Sequence, residues 1–247
     1  MEQGELKRTD TQVSRVIREI TRHMRGNHLR VGDSLPGEAY FAEKLGVSRA
    51  VMREAFAALS AMNLLDVGNG RRARVGAISG SLIATSLDHA ISTSQISIAD
   101  IWEVRQTIER KTAILAAQHR TAAEAAEIVR LAEMLTLVRD DLEQITRDDI
   151  AFHNAIALAS HNNLYVQIVA SFAPLMELAV PAAWNTRNTE AERDAIVEHH
   201  RALASAIAAR DVEAAAAAMH RHFDASIGDV LASMAEADNK AAANGSA

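Results

Sequence analysis

Cysteine is absent from the 247-residue sequence, which excludes disulfides and thiolate zinc sites and fits a reducing compartment. Proline occurs only 3 times and glycine 11 times, and aromatic residues make up 4% of the chain. Few helix breakers and abundant alanine favour a mostly helical protein. No apolar run approaches the roughly 18 residues of a membrane span, and no signal-peptide pattern opens the chain. A cytoplasmic protein with no membrane partner is expected. Also missing are a Gly-rich phosphate loop, a nucleophile elbow and a His-Glu-x-x-His run, so no common catalytic motif is present.

The length suits one large or two small domains, each able to bury a core. Formal net charge is −6, but it is unevenly spread. Residues 1–76 hold 13 Lys and Arg against 9 Asp and Glu, a net of +4, and the remainder holds 13 against 23, a net of −10. A basic N-terminal third on an acidic body suits a nucleic-acid-binding head joined to a separate domain.

The basic third is organised around Leu45-Gly46-Val47-Ser48-Arg49, which reads as the turn of a helix-turn-helix. Gly46 can take the positive φ that ends one helix, and Ser48 is a good N-cap for the next. Val47 and Met52 have hydrophobic-staple spacing. Met52, Ala55, Phe56 and Leu59 follow helical periodicity and should face inward. Arg49 and Arg53 share the outer face near the N-terminus, the end that a recognition helix inserts into the major groove. Arginine there can fork onto guanine or phosphate. Leu64 to Val67 and Ala73 to Val75 look like two strands turned by Gly68-Asn69-Gly70, with Arg71 and Arg72 near the tip. This is a winged helix-turn-helix. Ser48, Arg49, Ala50, Val51, Arg53, Asn69, Gly70 and Arg71 are the candidate DNA contacts.

This region resembles the GntR family of bacterial transcription regulators, in Leu35-Pro36-Gly37-Glu38, Phe41 to Arg49, and Met52-Arg53-Glu54-Ala55. The family usually carries a DNA-contacting Arg after the glutamate of the first element. Here that position is Ala39, so the resemblance does not carry the family's operator sequence over.

Before the helix-turn-helix, Val13, Val16, Ile17, Ile20 and Met24 mark a first amphipathic helix, and 29–36 reads as a loop. The expected organisation is a DNA-binding domain at 1–76, a linker at 77–80, an all-helical domain at 81–235 and a disordered tail at 236–247. Within the body, periodicity predicts seven helices near 81–93, 98–119, 122–142, 146–159, 162–179, 189–209 and 211–235. Pro174 and Pro181 are expected to bracket an irregular stretch, with a loop from Trp184 to Thr189. A winged head followed by seven helices resembles the FCD class of this family. Ile101 to Glu109 matches the E-x-R-x-x-x-E pattern of its opening helix.

Ten histidines are many, and eight lie in the body. Asp149 and His153 stand four apart on one helix face. His200 shares an apolar stripe with Leu203 and Ile207, and His222 follows Ala215, Ala218 and Met219 on another. Ionisable groups on buried stripes are costly unless paired or metal-bound. His199 competes with His200, one residue out of phase. His89, His119, His161 and His220 read as surface or hydrogen-bonded residues. The FCD resemblance implies Asp149, His153, His200 and His222 as ligands of a divalent metal, through its D-x-x-x-H, H-x-x-I/L-x-x-A-I and M-x-x-H-L/F elements. Zn, Ni, Mn and Fe all suit such a set. It also implies that Arg105 anchors a carboxylate effector, for which its fork is shaped. The alternative for Arg105 is a solvated pair with Glu109. Trp184 and Arg187 are candidates to cap the pocket.

The sequence is thus identified as a regulator of the GntR family and FCD class. The resemblance implies a repressor of a catabolic operon that binds palindromic double-stranded DNA as a homodimer. It would answer to a small organic or sugar acid at the metal. A metal-dependent enzyme using the Asp/His site and an effector-independent DNA-binder are the alternatives. The first lacks a second carboxylate placed as general base, and the second leaves the polar body unexplained.

Overall fold

A computed structural model of the chain describes residues 11–68, 70–137 and 141–226. The chain divides into two compact units between Leu82 and Ile83. The expected tail at 236–247 lies outside the described residues.

The N-terminal unit holds α1 (Gln12–Gly26), α2 (Glu38–Leu45), α3 (Arg49–Ala61), β1 (Leu65–Asp66) and β2 (Arg74–Val75). Thr11 caps α1 by accepting from the Ser14 amide. Gly46 ends α2 in the left-handed conformation, φ 64°, where a β-carbon would be strained. Ser48 caps α3, its hydroxyl accepting from the Val51 amide at 3.3 Å. The inward stripes then meet. Val16, Ile20, Phe41, Met52, Ala55, Phe56, Leu59 and Leu65 form one buried core, with Val47 packed against it. Each large side chain removed from water there contributes about 1.5–3 kcal/mol.

Among the described residues the wing is shorter than its sequence pattern, pairing Leu65 with Val75 and Asp66 with Arg74 in antiparallel register. The segment at 29–36 is a loop, as expected, and it is tied down against the hairpin. Leu35 N–H donates to Ala73 O at 2.8 Å and Gly32 N–H to Val75 O at 2.9 Å, so this segment lines the hairpin. Gly76 follows the hairpin closely, and a β-carbon there would sit 2.0 Å from the Asn63 carbonyl oxygen.

Beyond the wing, eight helices are described, one more than periodicity predicts. They are α4 (Gly80–Ser92), α5 (Ile98–His119), α6 (Ala122–Leu137), α7 (Leu142–Ala159), α8 (Asn163–Ala170), α9 (Ala173–Thr186), α10 (Glu190–Ala208) and α11 (212–226). Capping boxes start α5 at Ser97 with Asp100 and α10 at Thr189 with Glu192. The predicted helix at 162–179 is two helices, broken at Ser171–Phe172. Pro174 falls in the first turn of α9, where a missing N–H costs nothing. Pro181 lies inside α9 instead of bounding an irregular stretch, and the helix runs on through Trp184 to Thr186. Ala179, Ala183 and Trp184 are buried, and that burial offsets the lost hydrogen bond.

α7 packs against α5, α6, α8 and α9, while α10 lies on α6 and α5. Phe152, Ile156, Leu203, Ile207, Met219 and Phe223 share the main core. Inward-facing polar residues of α5, α7, α10 and α11 are therefore brought together inside the bundle. Among the described residues, no single helix is long and apolar enough to cross a membrane.

Candidate metal centre and nucleic-acid interface

In the head, Ser48, Arg49 and Ala50 are exposed at the start of α3, and Arg53 is exposed one turn later. Val51 is half-buried and packs against the core, which leaves less of it for a DNA contact. Gly70 turns the wing with φ 72°. Arg71 is exposed but donates to Asp66 Oδ1 at 2.7 Å. Arg72 and Arg74 are exposed on the same hairpin. Asn69 lies outside the described residues. Ala39 is exposed in the first turn of α2.

In the body, one nitrogen from each of His153, His200 and His222 lies within 4.8 Å of the others, and all three residues are buried. α7 supplies His153, α10 supplies His200 and α11 supplies His222. Asp149 joins them, with its Oδ1 3.0 Å from His200 Nε2 and 4.0 Å from His153 Nε2. His199 is half-buried and not part of the cluster.

The residues fit a divalent cation. His200 Nδ1 lies 2.8 Å from the Ile196 carbonyl oxygen and must carry a proton to donate there. In the neutral ring Nε2 is then a bare lone pair, and it faces a carboxylate oxygen at 3.0 Å. Two lone pairs at that distance call for a cation or proton between them. Asp149 Oδ2, His153 Nε2 and His222 Nδ1 are buried without hydrogen-bond partners. Leaving such atoms unsatisfied is costly, and one cation would engage several of them.

The charges fit as well. Burial alone would raise the Asp149 carboxyl, but the His200 hydrogen bond and the imidazole charges outweigh it and hold Asp149 well below the usual carboxylate range. Burial, reinforced by His200 and His153, pushes His222 well below the ordinary imidazole range and keeps it neutral. Burial opposes charge on His153 too, but the Glu109 carboxylate dominates and raises its pKa.

A cavity opens beside this cluster, leaving about 50 Å³ for the centres of water-sized molecules. One water needs roughly 10–15 Å³ by that measure. Asp149, His200, His222, Arg105 and Arg187 line it, among apolar walls that include Trp102, Met176 and Trp184. Arg105 is only 2% exposed. It does pair with Glu109, Nε to Oε1 at 2.8 Å, but inside the bundle and not on a solvated face. Its guanidinium lies 5.0 Å from the Trp102 ring centroid and 5.2 Å from that of Phe223, and Nη1 meets Met176 Sδ. The expected loop from Trp184 to Thr189 is shorter: Trp184 is helical, and Arg187 lies in the short connection that follows α9. Both are buried against the cavity.

Sequence reasoning gave Glu109 no role beyond a surface pair. Ile101, Arg105, Glu109, Thr112, Ala113 and Ala116 are all buried along α5, so Arg105 and Glu109 fall on the inward stripe. That periodicity was the available signal.

A winged helix-turn-helix followed by an all-helical body with a buried polar cluster is the architecture of a DNA-binding transcription regulator. Residues 12–75 match the bacterial regulatory proteins of the gntR family, and residues 100–225 match the FCD domain. The chain belongs to the GntR family, with an FCD domain, and is a regulator and not an enzyme. It is similar to the Glc operon transcriptional activator of Escherichia coli (strain K12), at 33% identity over 175 residues, 69% of either chain. It is also similar to the transcriptional repressor NanR of Salmonella newport (strain SL254), at 26% identity over 212 residues, 85% of this chain and 81% of that one. Among solved structures, Streptococcus agalactiae GntR shares the fold with a TM-score of 0.62 at 22% identity, covering 86% of this chain and 97% of that one.

Proposed function

We propose that this regulator binds a palindromic operator as a homodimer in the cytoplasm and represses a catabolic operon until a small carboxylic acid binds at a divalent-metal site in the body. The observation that carries this reading is the buried cluster of Asp149, His153, His200 and His222, opening on a cavity that also holds Arg105.

In this reading Asp149 and the three imidazoles hold the cation, whose contribution is a Lewis-acid centre with positions a carboxylate can fill. Arg105 receives the same carboxylate through its guanidinium fork. Apolar walls and the small volume support a short organic acid ahead of a polyhydroxylated sugar acid, whose hydroxyls would lack partners. In the head, Arg49 and Arg53 read the major groove, while Ser48, Ala50, Val51 and the wing residues Asn69, Gly70 and Arg71 complete the contact. Two-fold protein symmetry would mirror the two half-sites. Release of DNA requires that the acid bind the DNA-incompetent arrangement more tightly.

The test is a thermal-shift panel of small carboxylates on the full chain, with and without prior chelation, followed by DNA release in a gel-shift assay. The expected result is stabilisation by one acid that disappears on chelation. Stabilisation that survives chelation would remove the metal from effector binding, and no response to any acid would favour the effector-independent DNA-binder.

A further inference from the structure

We propose that Glu109 is a positioning residue whose two carboxylate oxygens set the orientation of a metal-ligating histidine and of the effector-binding arginine together. The proposal rests on the metal reading given above.

Glu109 projects from α5 and is 1% exposed. Its Oε1 accepts from Arg105 Nε at 2.8 Å. Its Oε2 lies against His153 Nδ1, which belongs to α7. The other ring nitrogen, His153 Nε2, points towards Asp149 Oδ1 at 4.0 Å. The His153 ring centroid is 5.1 Å from that of His222 and 6.2 Å from that of His200. Hence one face of the Glu109–His153 contact is the carboxylate, and the other is the converging ligand set.

The tautomer follows from this geometry. A carboxylate at Nδ1 selects the ring with its proton on Nδ1, which leaves the Nε2 lone pair free to bind a cation on the cluster side. His200 is held in the same sense by the Ile196 carbonyl. Two of the three imidazoles therefore have an acceptor behind Nδ1, one from backbone and one from Glu109.

Pairing with Arg105 alone does not account for Glu109. A buried ion pair is weak evidence of stability, because desolvating both charges offsets most of their attraction. The Arg105 guanidinium already lies against the rings of Trp102, Phe172 and Phe223. A carboxylate that reaches an imidazole with one oxygen and a guanidinium with the other links the histidine cluster to an arginine that lines the cavity.

The test uses the full chain with Zn²⁺ alone. Zn²⁺ affinity is measured by competition with a chromogenic chelator for wild type, His200→Ala and Glu109→Gln. The substituted glutamine can still accept from Arg105, but its amide N–H would donate to His153 Nδ1 and leave the proton on Nε2, the nitrogen that must ligate. The expected loss in Glu109→Gln is roughly 10–100-fold in affinity, with His153 carrying its proton on Nε2 in a long-range ¹H–¹⁵N spectrum of the metal-free variant. Affinity within twofold of wild type would overturn the role of Glu109 and leave the metal site standing. If wild type takes up no Zn²⁺, or His200→Ala binds it as tightly as wild type, the metal reading itself fails and the proposal with it. A measurement on wild type needs no folded variant. In the Zn²⁺-loaded chain His153 should keep a proton on Nδ1, and Zn²⁺ bound through Nδ1 would overturn the proposal.

Discussion

Loading the chain with a divalent cation should raise the melting temperature of the body and leave that of the head unchanged. All four candidate ligands, Asp149, His153, His200 and His222, lie in the unit beyond Ile83, and the head has its own core. A ligand present at 100 times its dissociation constant adds about 2.7 kcal/mol to the state that binds it. For a unit of this size each kcal/mol moves the midpoint by about 2–4 °C, so the expected shift is about 5–11 °C. Scanning calorimetry of chelator-treated protein, before and after adding Zn²⁺, reads it directly. His200→Ala should abolish the shift, because that ring stands 3.0 Å from Asp149 and its Nδ1 is tied to Ile196. The same variant should also lower the metal-free melting point, since it leaves the buried Asp149 carboxylate without its hydrogen-bond partner. An unchanged midpoint on Zn²⁺ addition, an equal shift in His200→Ala, or a shift confined to the head would refute the reasoning.

Arg49→Ala should weaken binding to a DNA fragment selected by the wild-type chain by about 1–3 kcal/mol if Arg49 reads a base; unchanged affinity in a gel-shift titration would remove it from the interface. Arg105→Ala should weaken binding of the stabilising acid by roughly 1.5–3 kcal/mol, the worth of hydrogen bonds to a charged group, and change Zn²⁺ affinity much less. Equal acid affinity by calorimetric titration would return Arg105 to a structural role. Zn²⁺ affinity should fall as pH drops. Burial disfavours a charge on His153, but Glu109 and Asp149 raise its pKa, so a proton competes for the ring below that raised value and the metal must displace it. Affinity that stays flat between about pH 5 and pH 8 would exclude His153 as a ligand.

Much of the head was legible because its signals are local. Gly46 at positive φ, Ser48 at the N-cap and the stripe of Met52, Ala55, Phe56 and Leu59 each act within a turn or two of helix. The wing was overextended by the pattern, since strand length depends on partners. Among the described residues two pairs form, and part of the hairpin edge is supplied by residues near Leu35. The body's helix ends were less legible. Proline marks a break only when packing does not compensate, and at Pro181 the buried face of α9 does.

His200 and His222 were recognisable as inward-facing, because helical phase is a property of sequence alone. Phase does not say what a side chain meets. Arg105 and Glu109 stand four residues apart on α5 whether that face is wet or dry, and a solvated pair was the alternative reading. Only the packing of α5 against α7 made the pair a buried one and set Glu109 beside His153. Likewise the sequence by itself determined a basic helix-turn-helix, a wing, a helical body and which histidines lie on apolar stripes, through spacings of three and four residues. The tertiary structure decided that α7, α10 and α11 point their histidines at one another, that Trp184 of α9 and Arg187 just past its end wall the cavity, and how much room is left. Those facts depend on contacts between residues as far apart as Asp149 and His200, and no periodicity within a single helix encodes the distance between two.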